Sequence, residues 1–348
     1  MGILADFADG FGSGERLIVM PLSRLQVEQP HKIDGCVLYP PNGFDVGELR
    51  PVPNATLNRD CAVDHLEGQR LREVQTTLTG FGPEVFAHNP AIAFRFGLEW
   101  NEFLDADHRF DRLLLQRLNR HVEPILDMIR FDFCRFDLPD TLPGRAGSWV
   151  GSGPHWGAIL FAPEDHESYL IAGPVVTVSI VQGLGVELDR APRLPPGNGE
   201  IGSIARHVLA LFRDVLEAGS DTHRFIRAMT LMEFLAAPDS YSGMTEATKE
   251  IACHVASNPQ EYAQILERFK NLTDKSGLRT SIVHRGQYLE DIIPAEAERR
   301  LLFRELQGYA SAVITDMLDR PQDTWKDFLS FRRERRREIG VSPRHETA

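Results

Sequence analysis

A short stretch rich in proline and glycine divides this chain of 348 residues into two parts with different sequence patterns. Residues 190–200 (RAPRLPPGNGE) hold three prolines and two glycines. Proline fixes φ and removes a backbone donor, so neither a helix interior nor a central strand continues through such a stretch. At about 100–200 residues per domain, the length also predicts two domains. We therefore expect one domain at 1–195, a second at 196–340 and a disordered tail at 341–348.

The composition is that of an ordinary globular protein. Hydrophobic residues make up 42% and charged residues 25%, which is enough for a large core and excludes a wholly disordered or fibrous chain. The N-terminus lacks the basic start and apolar run of a signal peptide, and the longest β-rich apolar stretch, 175–181, is too short to span a bilayer. The four cysteines show no paired spacing. These features predict a soluble cytoplasmic protein without membrane contact.

The charge is unevenly distributed along the chain. Lys and Arg number 38 against 50 Asp and Glu, a net charge of −12, which argues against a protein that coats nucleic acid through bulk electrostatics. Residues 201–348 hold 21 basic and 22 acidic side chains, so nearly all the excess lies in residues 1–200. Residues 332–337 (RRERRR) are basic, which we interpret as a solvated helix end, with RNA contact as the alternative. If the protein binds a polyanion, we expect the second half to bind it.

The first half shows a mixture of strand and helix patterns. Apolar or β-branched runs that predict short strands lie at 17–22, 36–39, 168–172, 175–181 and 186–188. Between them, one helix is predicted by the 3.6-residue period of Phe110, Leu113, Leu114, Leu118 and Val122. Pro124 would kink this helix or begin a second one. We therefore expect an α+β domain.

The second half has an almost purely helical pattern. Apolar stripes at the helical period predict helices around 204–215, 225–235, 262–272, 302–317 and 325–329. Asp221 is a suitable N-cap, Asn258 is a cap followed by Pro259, and Pro294 would open a long helix. Five or six amphipathic helices with short connections predict an all-α bundle.

The candidate sites of the first half are weak. Residues 10–14 (GFGSG) are rich in glycine, but they follow no apolar strand and lack the Lys-Ser/Thr pair of a phosphate-binding loop. Asp105, Asp107 and His108 are the best group for a metal, although helix capping is the favoured interpretation of these residue types. No Gly-x-Ser-x-Gly elbow is present. We therefore predict no metal site and no cofactor.

Residues 277–286 (GLRTSIVHRG) are the strongest candidate for chemistry. Arg279 offers a permanent cation whose planar donor fork suits phosphate oxygens, and His284 offers an imidazole, the side chain that most often transfers protons in catalysis. On a helix that begins near Leu278, five positions separate the two side chains by about 140°, so they share a broad face. From the spacing alone, a surface arginine with a partly buried histidine would be the favoured interpretation.

In its context this segment resembles the HEPN domain, and specifically its ApeA-like branch. The mark of that family is an arginine followed after four to six residues by a histidine near the start of a late helix, which Arg279 and His284 match. Residues 230–235 (TLMEFL) look like the family's helix with an acidic residue on its inner face, here Glu233. The resemblance covers roughly residues 202–318.

The resemblance implies a metal-independent endoribonuclease that uses the 2′-hydroxyl of RNA as nucleophile and leaves a 2′,3′-cyclic phosphate. His284 would transfer protons, Arg279 would stabilise the charge that develops on the phosphate, and Glu233 would orient His284 or hold Arg279. Thr280 and Arg285 would bind the RNA substrate. Because the family pairs two motifs across a two-fold cleft, we expect a homodimer through the helical half. The implied role is an antiphage or stress effector, with no DNA-specific contact.

Two positions depart from the family pattern. Thr280 stands where Asn, Asp or His is frequent, which shortens the reach of that side chain. Gly286 stands where members regulated by adenylylation carry tyrosine, and Tyr288 is displaced by two positions. This departure argues against a toxin–antidote arrangement of that type.

Simpler roles and other functions remain open. Glu233 could instead form an ion pair with an arginine of a neighbouring helix. Thr280 could be a residue of the N-terminal cap region of its helix, and Arg285 could point to solvent. For the whole chain, one alternative is a non-catalytic HEPN module that binds RNA, a nucleotide or a protein partner. Another is a metal hydrolase in the first half, with the bundle as its dimerisation platform.

Overall fold

The computed structural model describes residues 2–49, 83–105, 108–138, 144–148, 155–163, 167–174, 184–186, 193–240 and 243–341. The chain forms two compact units. The first comprises Met1–Leu126 and Asp140–Leu194, and the second comprises Asp127–Pro139 and Pro195–Ala348. Of the tail predicted at 341–348, all but Val341 lies outside the described residues.

The first unit is built on an antiparallel sheet. Its strands are β1 (Glu15–Pro21), β2 (Leu25–Val27), β3 (His31–Ile33), β4 (Cys36–Tyr39), β5 (Ala91–Gly97), β6 (His155–Ala162), β7 (Glu167–Pro174) and β8 (Leu184–Val186). Six strands pair antiparallel in the order β3-β4-β5-β1-β6-β7, while β2 and β8 pair in parallel. The helices are α1 (Pro83–His88), α2 (Trp100–Asp105) and α3 (His108–Phe133), with two 3-10 helices at Ile3–Phe7 and Val46–Leu49.

The strand predictions agree with this sheet in part. The run at 36–39 is β4 with the same bounds, the run at 17–22 overlaps β1, and the run at 168–172 lies within β7. The run at 175–181 lies outside the described residues. Strands β5 and β6 were not predicted, although each contains an apolar run of the kind that indicates a buried strand.

The second unit is helical, as the sequence predicts. Its helices are α4 (Glu200–Leu216), α5 (Asp221–Ala236), α6 (Met244–Val255), α7 (Pro259–Thr273), α8 (Leu278–Arg285), α9 (Leu289–Ile292), α10 (Glu296–Leu318) and α11 (Trp325–Glu338). Their buried apolar faces, which include Phe212, Phe225, Phe269 and Phe303, form the core of this unit. The apolar stripes predict five or six helices. They do not predict helix α6 or the short helices α8 and α9.

Local capping explains where several helices begin. Asn258 accepts a hydrogen bond from the backbone N–H of Glu261 over 2.9 Å, so α7 begins at Pro259 as predicted. The prediction that Asp221 caps α5 is wrong by one residue, because the Ser220 side chain accepts the capping bond. Pro294 precedes α10 by two residues instead of opening it.

Pro124 does not begin a second helix, because α3 runs unbroken from His108 to Phe133. A proline removes one hydrogen bond from a helix interior, and here buried Val122 and Leu126 keep both flanking turns packed. Beyond Leu126 the helix belongs to the second unit. The sequence predicts a single domain boundary at 195/196. In the structure, the segment Asp127–Pro139 also belongs to the second unit.

The interpretation of residues 332–337 as a solvated helix end is wrong for Arg332, which is fully buried. Arg332 lies on the same face of α11 as Trp325 and Phe328. Its guanidinium donates to the carbonyl oxygens of Leu235 over 2.7 Å and Ala236 over 2.8 Å. The last carbonyls of a helix have no partner within it and need an outside donor. Arg332 therefore caps the C-terminal end of α5.

His254 is a further partner of Arg332. Arg332 Nε donates to His254 Nε2 over 2.9 Å, so the imidazole proton lies on Nδ1, which donates to Asp316 Oδ2 over 2.6 Å. Burial lowers the pKa of His254 and outweighs the hydrogen bond to Asp316, which raises it. Burial also lowers the pKa of Arg332, to about 10, which leaves it charged at neutral pH. A neutral imidazole thus connects α6, α10 and α11.

Replacement of Arg332 tests this anchor. Arg332→Leu leaves two buried carbonyls and His254 without a donor, so we expect the free energy of unfolding to fall by about 3 kcal/mol. Arg333→Leu, at the adjacent exposed position, should change it by less than about 0.5 kcal/mol. Urea unfolding followed by circular dichroism measures both variants. Equal stabilities would contradict the anchoring role.

The lowered pKa of His254 makes the stability depend on pH. The unfolded chain takes up a proton near the ordinary pKa of 6.5, whereas the folded protein does so only at lower pH. The free energy of unfolding should therefore fall as the pH is lowered from about 7 to about 5. His254→Gln should lose less stability on acidification, while His223→Gln, at an exposed position of α5, should keep the wild-type slope. Equal slopes in both variants would assign the dependence to another group.

Candidate functional site

The candidate site is built around helix α8, which has eight residues. Gly277 precedes it in extended backbone, and a Cβ at this position would lie 2.7 Å from the backbone of Leu272. Only glycine therefore fits the close turn between α7 and α8. Arg279 is the second residue of α8 and lies in its first turn.

Gly286 ends helix α8 in the left-handed conformation, with φ 67° and ψ 23°. Its N–H donates to the carbonyl of Ile282, and the N–H of Gln287 donates to that of Ser281, both over 3.2 Å. Such a C-cap satisfies carbonyls that the helix leaves open. His284 consequently lies in the last turn of a helix that has only two.

Arg279 forms an ion pair with Glu233 of helix α5. Its Nη2 donates to Glu233 Oε1 over 2.8 Å, and the two side chains are 30% and 26% exposed. Within the described residues this is the one hydrogen bond that the guanidinium makes. Glu233 therefore contacts Arg279 and not His284, and this contact is also the ion pair with an arginine of a neighbouring helix that the sequence suggests. The remaining donors of Arg279 are available to a ligand.

His284 is exposed. Across the part of the chain that the structure describes, its ring makes no hydrogen bond, ion pair or aromatic contact. Both ring nitrogens are therefore accessible to solvent or substrate. The structure does not show the partly buried histidine that the spacing alone favours.

Arg279 and His284 do not lie on a narrow common stripe. Five helical positions separate their Cα atoms by about 7.5 Å along the axis and about 140° around it. One copy of α8 therefore presents the cation and the imidazole on the broad common face that the spacing predicts, and not at a single point of it.

The two residues expected to bind RNA have contacts within the α7–α8 turn. Thr280 Oγ1 donates to the carbonyl oxygen of Asp274 over 2.7 Å. Arg285 Nη2 donates to the carbonyl oxygen of Lys275 over 3.1 Å and remains exposed. Thr280 thus lies in the first turn of α8, where its hydroxyl binds the end of α7 and does not cap α8. Arg285 retains donors at the surface.

Helix α8 itself carries basic side chains, although acids border the segment. Residues 275–289 contain Lys275, Arg279 and Arg285 but no Asp or Glu, while Asp274 precedes them and Glu290 and Asp291 follow. Glu233 pairs with Arg279. The cations of α8 therefore offer local contacts to a negatively charged ligand, within surroundings whose charges are balanced.

A contact that the sequence does not predict fixes the chain that follows α8. Thr222, at the start of α5, donates its hydroxyl to Glu290 over 2.5 Å and its backbone N–H over 3.3 Å. The same hydroxyl accepts the N–H of buried Leu289 over 2.8 Å. Burial raises the pKa of Glu290, but the bonds from Thr222 lower it below its ordinary value. No spacing rule reveals a contact between residues so far apart in the chain.

Other sites receive less support from the described residues. Among these residues, no group of three or more His, Cys, Asp or Glu side chains could hold a metal ion, and Asp107 of the weak metal group lies outside them. A cavity of about 420 Å³ in the first unit is lined by residues that include Asp6, Lys32 and Arg95. Their charged groups already pair within the unit. No described helix is both long and apolar enough to cross a membrane.

Comparison with known proteins found no match to this chain among family models, curated proteins or solved structures. The functional interpretation therefore depends on the residues of α5, α8 and their connections.

Two glycine substitutions test how α8 ends. Gly286→Ala forces a side chain into the left-handed region and should lower the free energy of unfolding by about 1 kcal/mol. Gly308→Ala, in the interior of α10, should raise it by about 0.5–1 kcal/mol through helix propensity. A Cβ at either position meets open space, so only the backbone conformation differs. Chemical denaturation measures both, and a stabilising Gly286→Ala would contradict the C-cap.

Proposed function

We propose that this protein is a metal-independent endoribonuclease of the HEPN type. Arg279 and His284 are its catalytic residues, Glu233 positions Arg279, and Arg285 contributes to RNA binding. The observation that carries the proposal is the pairing of a held cation with a free imidazole on one two-turn helix. Arg279 is held by Glu233 and keeps most of its donors, while His284 is exposed and has no partner among the described residues.

These groups suit the cleavage of RNA by its own 2′-hydroxyl. A base accepts the proton of this hydroxyl, whose oxygen forms a bond to the adjacent phosphorus. The bond from phosphorus to the 5′-oxygen breaks, and an acid delivers a proton to that oxygen. The products are a 2′,3′-cyclic phosphate and a 5′-hydroxyl. His284 transfers a proton, and Arg279 stabilises the negative charge on the non-bridging oxygens.

Two proton transfers call for two proton-transfer groups, and one chain supplies a single His284. We therefore include in the proposal a homodimer through the helical unit, with one histidine from each copy around a single phosphodiester.

The first unit has a separate role in this proposal. Its sheet and its cavity suit a sensor or restraint that governs the nuclease in a cytoplasmic defence or stress response. The chemistry depends on the second unit alone, so deletion or substitution in the first unit would alter regulation without removing Arg279 or His284.

Cleavage of labelled RNA in the presence of EDTA tests the proposal. Arg279→Ala and His284→Ala should each lower the cleavage rate at least about 100-fold, since each removes a group that acts in the transition state. Arg333→Ala and His223→Ala are matched exposed controls and should cleave at the wild-type rate. Unchanged cleavage by both site variants, or loss of wild-type cleavage in EDTA, would overturn the proposal.

Substitution of Glu233 tests its positioning role. Glu233→Ala frees the Arg279 side chain, so kcat should fall roughly 10- to 100-fold, the effect expected of a misplaced catalytic group. Glu233→Gln retains an acceptor for Arg279 and should recover part of this loss. Because an exposed ion pair contributes about 1 kcal/mol or less to stability, both variants should unfold near the wild-type urea concentration. A fall in kcat that merely follows a loss of folded protein would contradict the role.

Binding of RNA without cleavage is a second candidate, favoured by one observation. The hydroxyl of Thr280, at a position where the family often has a longer polar side chain, donates its hydrogen bond to the Asp274 carbonyl. Wild-type protein that binds RNA but yields no product in the cleavage assay would favour this function over the first.

A further inference from the structure

Tyr288 is the most exposed large hydrophobic side chain among the described residues, at 64% of its maximal area. An exposed apolar residue is common and by itself indicates nothing. The surroundings of this one are less ordinary, because the chain on both sides of it is fixed. In the described part of the protein, its ring and hydroxyl make no aromatic, cation–π or hydrogen-bond contact.

The backbone around Tyr288 is held at each side. Before it, Gly286 and Gln287 donate to carbonyls of α8. After it, Leu289 is fully buried and donates its N–H to Thr222. The carbonyl of Tyr288 itself accepts two bonds, from the N–H groups of Asp291 and Ile292, both over 3.2 Å. The ring is therefore presented to solvent from a fixed backbone, which limits the entropy lost when a ligand binds.

The exposed chain before Tyr288 offers contacts to a polyanion. All residues from Val283 to Tyr288 are exposed and include His284 and Arg285. On the other side of Tyr288, the carboxylate of Glu290 is bound by Thr222, and Asp291 is exposed. An exposed aromatic ring next to a basic side chain is an arrangement that binds single-stranded nucleic acid, in which an unpaired base stacks on the ring and a cation contacts the backbone. A purely apolar partner would leave Arg285, which forms no ion pair within the described residues, without a counter-charge.

We propose that Tyr288 is a base-stacking residue that binds an unpaired base next to the phosphate acted on at His284. This inference rests on the proposed ribonuclease function and adds a determinant of substrate binding to it. Tyr288 follows His284 by four residues, across the C-cap of α8. Every base has a face that can stack, so Tyr288 selects unpaired over paired RNA without reading sequence strictly.

The test measures binding and cleavage separately. Binding uses a fluorescent single-stranded 2′-O-methyl RNA, which cannot be cut because it lacks the attacking hydroxyl, and cleavage uses the same sequence as unmodified RNA. Tyr288→Ala should weaken binding by about 5- to 100-fold, the range for loss of one stacked base, and should raise KM more than it lowers kcat. Tyr288→Trp and Tyr288→Phe should bind like wild type, because the ring face is retained.

Leu301→Ala is the matched control, since Leu301 is 61% exposed on α10 and offers no ring. It should bind and cleave like wild type. Wild-type binding by Tyr288→Ala, in a protein that cleaves RNA, would overturn the stacking role and leave the proposed function intact. Weak binding by Tyr288→Ala in a protein that never cleaves would support the stacking role and remove the nuclease. A wild-type protein that neither binds nor cleaves RNA would overturn both.

Discussion

The candidate site depends on helix α5, which polar contacts hold at both ends. Thr222 in its first turn binds the start of α9, Glu233 in its last turn binds Arg279, and its terminal carbonyls accept hydrogen bonds from Arg332. These contacts connect α8, α9 and α11 to one helix. Because buried polar groups are costly without partners, a displacement of α5 is opposed at both ends. The guanidinium of Arg279 is thus attached to a helix that is held at both ends.

The site combines satisfied and unsatisfied polar groups. The groups that fix its geometry, such as Thr222 and Arg332, have several partners and are buried. The groups suited to a ligand, namely His284, Tyr288 and the remaining donors of Arg279, are partly or fully exposed. This division is what a preorganised site requires, because its supporting contacts are complete before the ligand arrives. Arg285 and the remaining donors of Arg279 then offer contacts to an anion that approaches a protein of net negative charge.

The sequence predicted elements that depend on local physics. Helix α7 begins at Pro259 because Asn258 caps it, and β4 is a short apolar run with its predicted bounds. Burial of Arg332 was missed because its neighbours are basic, although it continues the helical stripe of Trp325 and Phe328. The contact of Glu233 with an arginine 46 positions away is set by helix packing. Residue spacing alone does not predict such a contact. Only the resemblance to the HEPN family suggests that Glu233 lies near Arg279.

The chemical identity of the ends of cleaved RNA tests the central claim most directly. Mass spectrometry of a short synthetic RNA, after incubation with the full chain, distinguishes attack by the 2′-hydroxyl from attack by water. The account predicts a 2′,3′-cyclic phosphate on one fragment and a 5′-hydroxyl on the other, and no cutting where the attacking nucleotide is 2′-deoxy. Fragments with a 3′-hydroxyl and a 5′-phosphate, or cleavage at a 2′-deoxy position, would contradict the mechanism assigned to Arg279 and His284.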